Sequence, residues 1–322
     1  MTLTADIYEL RGTRDLHLRH ETLDPDTLGA NEVVARTLVS AISPGTEIAA
    51  FVGLPPLRPM KVYPRVTGYC NIAEVLAVDT GVSDVKPGDR IATFQSHRSA
   101  FICPRDDVMG ILPPDADIEA CALAYMFHLG YVATLRAGLN PDDKVAVIGM
   151  GTVGLGTVAV CATAGAQVHA ISDIAMVPAQ AMGAHATMTK ATALDSDAAD
   201  ADLVITTSNH WEDWELALSL ARSEGSIAVM GFPGRGENAP AFNPLDSRWV
   251  YDKQLTIVGC GMNPAGSPLK ESYPYILSKV ADGTLPARKM IGDIVNWQNL
   301  AQVYERLAAR ETGLITCVLD WR

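Results

Sequence analysis

Residues Val145-Ala146-Val147-Ile148 run straight into Gly149-Met150-Gly151-Thr152-Val153-Gly154, and helix-forming residues follow from Val153 to Ala164. A GxGxxG loop between an apolar strand and a helix constrains the fold more than any other stretch, because it belongs in a strand-loop-helix-strand unit. The reasons are geometric. Gly149 permits the tight turn, Gly151 presents bare backbone that an anionic group can approach, and Gly154 lets the helix pack close to the sheet. The amides of Thr152 and Val153 then lie at a helix N-terminus, where free N–H groups and the helix dipole favour a phosphate. The expected ligand is a dinucleotide pyrophosphate. The bland alternative is a glycine turn kept for packing in a domain that has lost its ligand.

The texture around the loop supports such a unit. Lys144–Ile148, Val168–Ile171, Leu203–Thr206, Ile227–Met230 and Leu255–Val258 are short apolar runs, with a helix predicted over Trp214–Ala221. Alternation of this kind predicts a doubly wound parallel sheet. The ribose of a dinucleotide is read at the end of the second strand, where the sequence is Ser172-Asp173. Asp173 would bond a 2′-hydroxyl and repel a 2′-phosphate, and no Lys or Arg follows before Lys190, so NAD(H) is favoured over NADP(H). A one-residue change of register puts the neutral Ser172 there instead. Thr206 and the turn at Gly231-Phe232 complete the candidate cofactor-binding set, and Arg235 either touches the cofactor or faces water.

The first 115 residues read differently. Val33–Val39, Asn71–Val78 and Arg90–Phe94 are strands punctuated by turns at Pro44-Gly45, Pro55-Pro56 and Pro87-Gly88-Asp89. Helical character is expected from Asp115 to Leu139, over Tyr273–Val280 and over Leu300–Ala309, with a closing strand at Leu314–Leu319. Ala191–Asp202 fits a variable surface connection. The fold class is therefore α/β, a small β domain over residues 1–121, completed by residues 262–322, around a Rossmann domain over residues 122–261.

Net charge is −12, which argues against a nucleic-acid partner, since phosphate binding needs a concentrated basic surface. Neither a leader segment nor a membrane span is expected, so the cytoplasm is the expected location. The six cysteines are scattered without a CxxC pair and are expected to be buried free thiols, not zinc ligands.

Further stretches carry a resemblance: Ser43-Pro44-Gly45-Thr46-Glu47, Tyr63-Pro64-Arg65-Val66-Thr67-Gly68-Tyr69 and Val85-Lys86-Pro87-Gly88-Asp89-Arg90. With the glycine loop, they make the chain similar to the medium-chain dehydrogenase/reductase superfamily, the relatives of zinc alcohol dehydrogenases. The Ser-Pro-Gly-Thr-Glu form resembles a zinc-lacking branch that includes bacteriochlorophyllide dehydrogenases. The resemblance implies a GroES-like catalytic domain, an active site in a cleft beside the Rossmann domain, a small-molecule substrate and a homodimer, for which Leu255–Gly259 is the candidate pairing strand. It also exposes departures. Pro44 stands where zinc members have a first Cys ligand, Tyr69-Cys70 replaces His-Glu, and Tyr125 falls at the remaining Cys position. One Cys cannot hold zinc, so no metal is expected.

Without a metal, the charge developing on a substrate oxygen needs a protein donor. Thr46 matches the family threonine that bonds this oxygen, but Ala49 replaces the histidine that ends the usual relay. Tyr69 can donate its phenol proton, or serve as a base if its pKa is depressed. Tyr125 has a similar case. His128, at a helix start, and His97, on a loop expected to rim the pocket, are the imidazole candidates. Glu47 is either an orienting group or half of a buried ion pair. Arg58 and Lys61 either grip an acidic substrate or face solvent. Cleft loops over Phe51–Tyr63 and Asn263–Tyr273 are expected to set specificity. Three functions remain open: a zinc-independent hydroxyl/carbonyl dehydrogenase, an NADPH-dependent enoyl- or quinone-type C=C reductase, and a non-catalytic dinucleotide-binding protein.

Overall fold

The computed structural model describes residues 2–57, 63–174, 176–261 and 269–322. The expected positions Arg58 and Lys61, and the stretch from Asn263 toward Tyr273 as far as residue 268, lie outside the described residues. The chain divides into two compact units. One comprises Met1–Tyr125, Lys270–Gly283 and Ile291–Arg322, and the other comprises Met126–Leu269 and Thr284–Met290.

The second unit is a six-stranded parallel sheet. Its strands run from edge to edge as Ala186–Met188, Gln167–Ile171, Lys144–Ile148, Ala201–Thr206, Ala221–Val229 and Thr256–Gly259. In chain order this is 3-2-1-4-5-6, the doubly wound order of dinucleotide-binding sheets. Lys144–Ile148 is central and its four apolar residues are fully buried, as a strand covered on both faces requires. Ile148 stands opposite Ile171 on one side and Thr206 on the other. The loops that follow these three residues therefore emerge together at the carboxyl edge of the sheet. Helices Ala124–Ala137 and Thr152–Thr163 pack through glycines: a Cβ on Gly130 would come 2.8 Å from the Thr157 Cα, and one on Gly156 would come 3.1 Å from the Met126 carbonyl oxygen. Small residues permit this close approach.

The first unit contains a seven-stranded, mainly antiparallel sheet. Its path is Ile291–Asn296, Thr316–Asp320, Glu32–Ala41, Cys70–Val78, Arg90–Thr93 and Val108–Ile111, with Ala100–Pro104 also paired to Glu32–Ala41. A three-stranded sheet joins Asp15–Leu23, Leu3–Gly12 and Arg65–Val66. Two of its apolar clusters matter most for the site. One gathers Val33, Ala35, Ala73, Val75, Ile91 and Phe101. The other packs Phe51 and Ile42 against Leu300, Val303 and Tyr304 of the helix Leu300–Ala308. The expected α/β architecture, a small antiparallel GroES-like sheet plus a Rossmann-type parallel sheet, is the one found.

Three local readings need correction. Pro44-Gly45 is not a turn between strands but the start of a helix, Pro44–Phe51, with Ser43 as its N-cap and Pro at the first position. Proline is suited to that position, because its missing N–H would be unpaired there anyway. Ala191–Asp202 is not a plain surface connection. It holds a 3-10 helix, Lys190–Asp195, and Ala193, Ala198 and Ala201 are fully buried in the core of the parallel sheet. The strand expected over Ile227–Met230 begins six residues earlier, at Ala221, in polar residues that give no apolar signal. All six cysteines are free and buried, as expected. No helix among the described residues is long and apolar enough to cross a membrane.

Candidate functional site

The parallel sheet carries the glycine loop at the carboxyl end of its central strand. Gly149 has φ +96°, a left-handed conformation that side chains disfavour, and its N–H donates to the Ile171 carbonyl at 2.9 Å. A Cβ on Gly154 would lie 1.8 Å from the Gly149 carbonyl oxygen, so only glycine fits where helix Thr152–Thr163 leaves the loop. Gly151 is the N-cap of that helix and is exposed, with nothing within 4 Å of a built Cβ. Bare backbone and open space at a helix start are the features that a phosphate group would need. Thr152 is buried and Val153 half-buried.

Neighbouring strand ends complete the loop's surroundings. Thr207, directly after Thr206, donates its hydroxyl to the Gly149 carbonyl at 2.9 Å and its N–H to the Ile148 carbonyl at 3.0 Å. Gly231 packs so closely that a Cβ there would be 1.9 Å from the Ser208 carbonyl oxygen. The Phe232 N–H donates to Asn209 Oδ1 at 2.8 Å. Arg235 is buried with its guanidinium 4.2 Å from the centre of the Phe232 ring, so the expectation that it faces water is wrong.

Ser172 is the first residue after the second strand. It is buried, and its Oγ accepts the Ile174 N–H at 3.1 Å. Asp173 is exposed, and its Oδ1 accepts the Lys190 N–H at 3.2 Å. Lys190 is thus adjacent in space although distant in sequence, which corrects the reading that no basic residue is near. Its ammonium is engaged elsewhere, 2.7 Å from Asp213 and 3.2 Å from Glu212.

The first unit brings together Thr46, Glu47, Tyr69, Tyr125 and His97. Tyr69, half-buried, donates its hydroxyl to Ser43 Oγ at 2.6 Å, and its ring meets Tyr125 edge-on with centroids 5.5 Å apart. Phe94 continues this aromatic cluster, 4.9 Å from Tyr125 and 5.6 Å from Tyr273. Burial first, then the nearby Cys70 and Glu47, push the Tyr69 phenol well above its usual pKa, although the Ser43 and Thr46 hydroxyls act the other way. Nothing around Tyr69 lowers its pKa on balance, so the phenol keeps its proton. Burial and Cys70 likewise raise Tyr125.

His97 does not rim a pocket. It is fully buried, with Nε2 2.8 Å from Glu47 Oε2 and Nδ1 2.8 Å from Ser40 Oγ. Its ring rests on Gly68, which has φ +84° and where a Cβ would meet the ring at 2.5 Å. Glu47 is also buried, and its carboxylate is hydrogen-bonded both to His97 and to the start of its own helix. Its Oε1 accepts the Ser43 N–H at 2.6 Å, and its Oε2 takes the Tyr304 hydroxyl besides His97. With its proton directed to Glu47, the Tyr304 oxygen is left to accept from Thr67 Oγ1 at 2.6 Å. Trp321 Nε1 donates to Ser40 at 2.9 Å. Ser40, Ser43, Thr67, Tyr304 and Trp321 were not identifiable from sequence. Ser43 alone left a signal, an N-cap serine before proline.

His128 lies in helix Ala124–Ala137 of the second unit and is fully buried, and burial lowers its pKa to about 4. Burial therefore favours its uncharged form at neutral pH.

A zinc ion does not fit the positions the resemblance pointed to. Pro44 has no donor atom. Tyr69 and Tyr125 are phenols, which leaves Cys70 as the one thiol at these positions. Zinc binds deprotonated thiolates, imidazoles and carboxylates. Among the described residues, no three His, Cys, Asp or Glu gather where a metal could be held.

No family model matches the chain. It is 26% identical to the L-galactonate-5-dehydrogenase of Escherichia coli (strain K12) over 337 aligned residues, covering 91% of this chain and 93% of that protein. It is 22% identical to the sorbitol dehydrogenase of Bacillus subtilis (strain 168), covering 92% of each. The solved L-idonate 5-dehydrogenase from Escherichia coli str. K-12 substr. MG1655 superposes with a TM-score of 0.85 over 99% of both chains at 15% identity. These similarities cover nine-tenths or more of this chain, and the solved structure shares its fold.

Proposed function

We propose that this chain is a zinc-independent oxidoreductase that moves hydride between NAD(H) and a small organic hydroxyl or carbonyl compound, and that it works as a homodimer. The observation that carries the reading is the glycine loop at the N-terminus of Thr152–Thr163, where Gly151 has open space about it and Gly149 and Gly154 allow the tight turn and the close approach of helix to loop. Gly149, Gly151, Thr152, Val153 and Gly154 hold the pyrophosphate, with Thr206, Gly231 and Phe232 at the adjoining strand ends. Asp173 and Ser172 face the ribose. The exposed Asp173 carboxylate and the engagement of Lys190 by Asp213 and Glu212 favour NAD(H), because the cation beside Asp173 is already paired and a 2′-phosphate would meet the carboxylate.

A bound nicotinamide supplies or accepts the hydride. The protein's task is the proton and the charge on oxygen. Thr46 donates a hydrogen bond to the substrate oxygen in place of a Lewis acid, and Tyr69 does the same once its hydroxyl proton turns from Ser43 Oγ to the substrate. Tyr69, held protonated by burial, gives its proton as the oxygen becomes an alkoxide in the reducing direction. Glu47 and His97 orient the turn that carries these hydroxyls and do not touch substrate. Tyr125 walls the site. His128 packs its helix and takes no part in proton transfer.

The test is a titration of purified protein with NADH and NADPH, followed by nicotinamide fluorescence, with metal content measured on the same sample. Tight NADH binding by metal-free protein, and turnover of 2,3-butanediol or sorbitol with NAD, is the expected outcome. A preference for NADPH together with reduction of 2-cyclohexenone would replace this reading with the C=C reductase. Binding of neither nucleotide would leave the dehydrogenase reading without its cofactor and overturn it.

A further inference from the structure

Helix Pro44–Phe51 begins in an unusual way. Ser43 is its N-cap residue, yet the Ser43 side chain makes no cap hydrogen bond. An N-cap serine ordinarily turns its oxygen to an amide two or three residues on. Here Ser43 Oγ instead accepts the Tyr69 hydroxyl at 2.6 Å. The helix start is held from the other side: Glu47 Oε1 accepts the Ser43 N–H at 2.6 Å, the contribution a glutamate makes to a capping box. The capping duty has passed from the serine to the glutamate, and the serine is released to the phenol.

Glu47 is in turn fixed from two distant parts of the chain. Its Oε2 takes His97 Nε2 at 2.8 Å and the Tyr304 hydroxyl. Tyr304 is fully buried on the helix Leu300–Ala308, braced by Thr67 at 2.6 Å and by an edge contact with Phe51 at 5.3 Å. Thr67 also accepts the His97 N–H on its carbonyl at 2.7 Å, so the two clamps on Glu47 are tied to each other. A buried carboxylate with all its donors is rigid, and one with a donor missing seeks another arrangement.

We propose that Tyr304, with His97, is a positioning residue that acts through Glu47 to hold the Ser43–Thr46 turn, and with it the Tyr69 hydroxyl, in one arrangement. The inference rests on the proposed function only in giving Tyr69 a part in the reaction. The geometry of the clamp stands apart from it.

The experiment uses the full chain labelled with 13C at the tyrosine Cζ, whose shift reports the hydroxyl's hydrogen bonding and protonation. The nine tyrosines give nine resonances, and Tyr69→Phe identifies the one of interest. Tyr304→Phe removes one hydroxyl and keeps the ring packing. In that variant, and in Glu47→Gln, the Tyr69 resonance is expected to be displaced and broadened across neutral and alkaline pH. In Tyr251→Phe, at a tyrosine 80% exposed, it is expected to stay as in the parent. A merely structural Tyr304 would lower thermal stability and leave the Tyr69 resonance where it is; that result overturns the inference. If Tyr304→Phe does not fold, Thr67→Val keeps the phenol and removes its donor, and an unchanged Tyr69 resonance there overturns it equally. NADH binding on the same samples separates the two claims. A displaced resonance in protein that binds no nucleotide keeps the clamp and removes the dehydrogenase, and an unchanged resonance in protein that binds NADH does the reverse.

Discussion

A Cβ at residue 154 would sit 1.8 Å from the backbone oxygen of Gly149, which makes the first turn after the strand the least forgiving point of the chain. Neither atom is the end of a flexible side chain, so loop or helix must move. Gly154→Ala is expected to lose about 1–3 kcal/mol of stability as an overpacked contact, and to weaken NADH binding at least tenfold as the loop opens. Chemical denaturation and a fluorescence titration on the same variant check both; unchanged affinity would mean the loop is not the phosphate site. At this scale the sequence was legible only in part. Gly149, Gly151, Gly154, Thr46, Glu47 and Tyr69 announce themselves by motif, because each local pattern fixes the backbone around it. Tyr304 and Trp321 do not, since their partners Glu47 and Ser40 lie 257 and 281 residues away and no local pattern records so distant a contact. His97 misled for a related reason: a histidine in a polar loop, Gln95-Ser96-His97-Arg98, looks exposed until the glycine that receives its ring is known.

Among elements, the strands buried on both faces were the easiest to read, and Lys144–Ile148 agrees to the residue. A continuous apolar run bounded by polar residues admits few readings at that length. Helix Pro44–Phe51 was missed because Pro-Gly was taken as punctuation, although a serine followed by proline is also how a helix starts. Helix Ala124–Ala137 carries a pH consequence. His128 is fully buried with a pKa near 4, below the ordinary 6.5, so the unfolded chain binds a proton that the folded chain does not. Stability from this residue is complete above about pH 6.5 and falls as pH drops toward 4, by about 3 kcal/mol at the lower end. His169, on the strand Gln167–Ile171, is shifted in the same direction by burial and then by His185 and Lys144, and adds to the loss. Denaturant midpoints measured from pH 7.5 to 4.5 should fall for the parent and fall less steeply for His128→Gln. Equal slopes would show that His128 is not held neutral.

Across the whole molecule, the α/β class and the two kinds of sheet followed from a change of texture along the chain, from turn-rich strands to alternating strands and helices. Among the described residues, Thr256–Gly259 is the last strand of the parallel sheet and has a neighbour on one side only, with Ile257 37% exposed. An open edge with an apolar side chain favours pairing with a second copy. Ile257→Lys is therefore expected to convert a dimer to monomer in sedimentation velocity without loss of NADH binding. A parent that sediments as a monomer would remove the dimer from the proposal.

The link between Glu47 and Tyr304 also bears on how the molecule is made. A ribosome adding roughly 5–20 residues per second needs about 10–50 s to travel the 257 residues between them. For that time the glutamate has been synthesised and its phenol has not. The parallel sheet, drawn almost entirely from one continuous segment, Met126–Leu269, can close during the same interval. The unit begun earlier is then finished later than the parallel sheet, and the hydroxyls around Glu47 fall into place only once Tyr304 has been made.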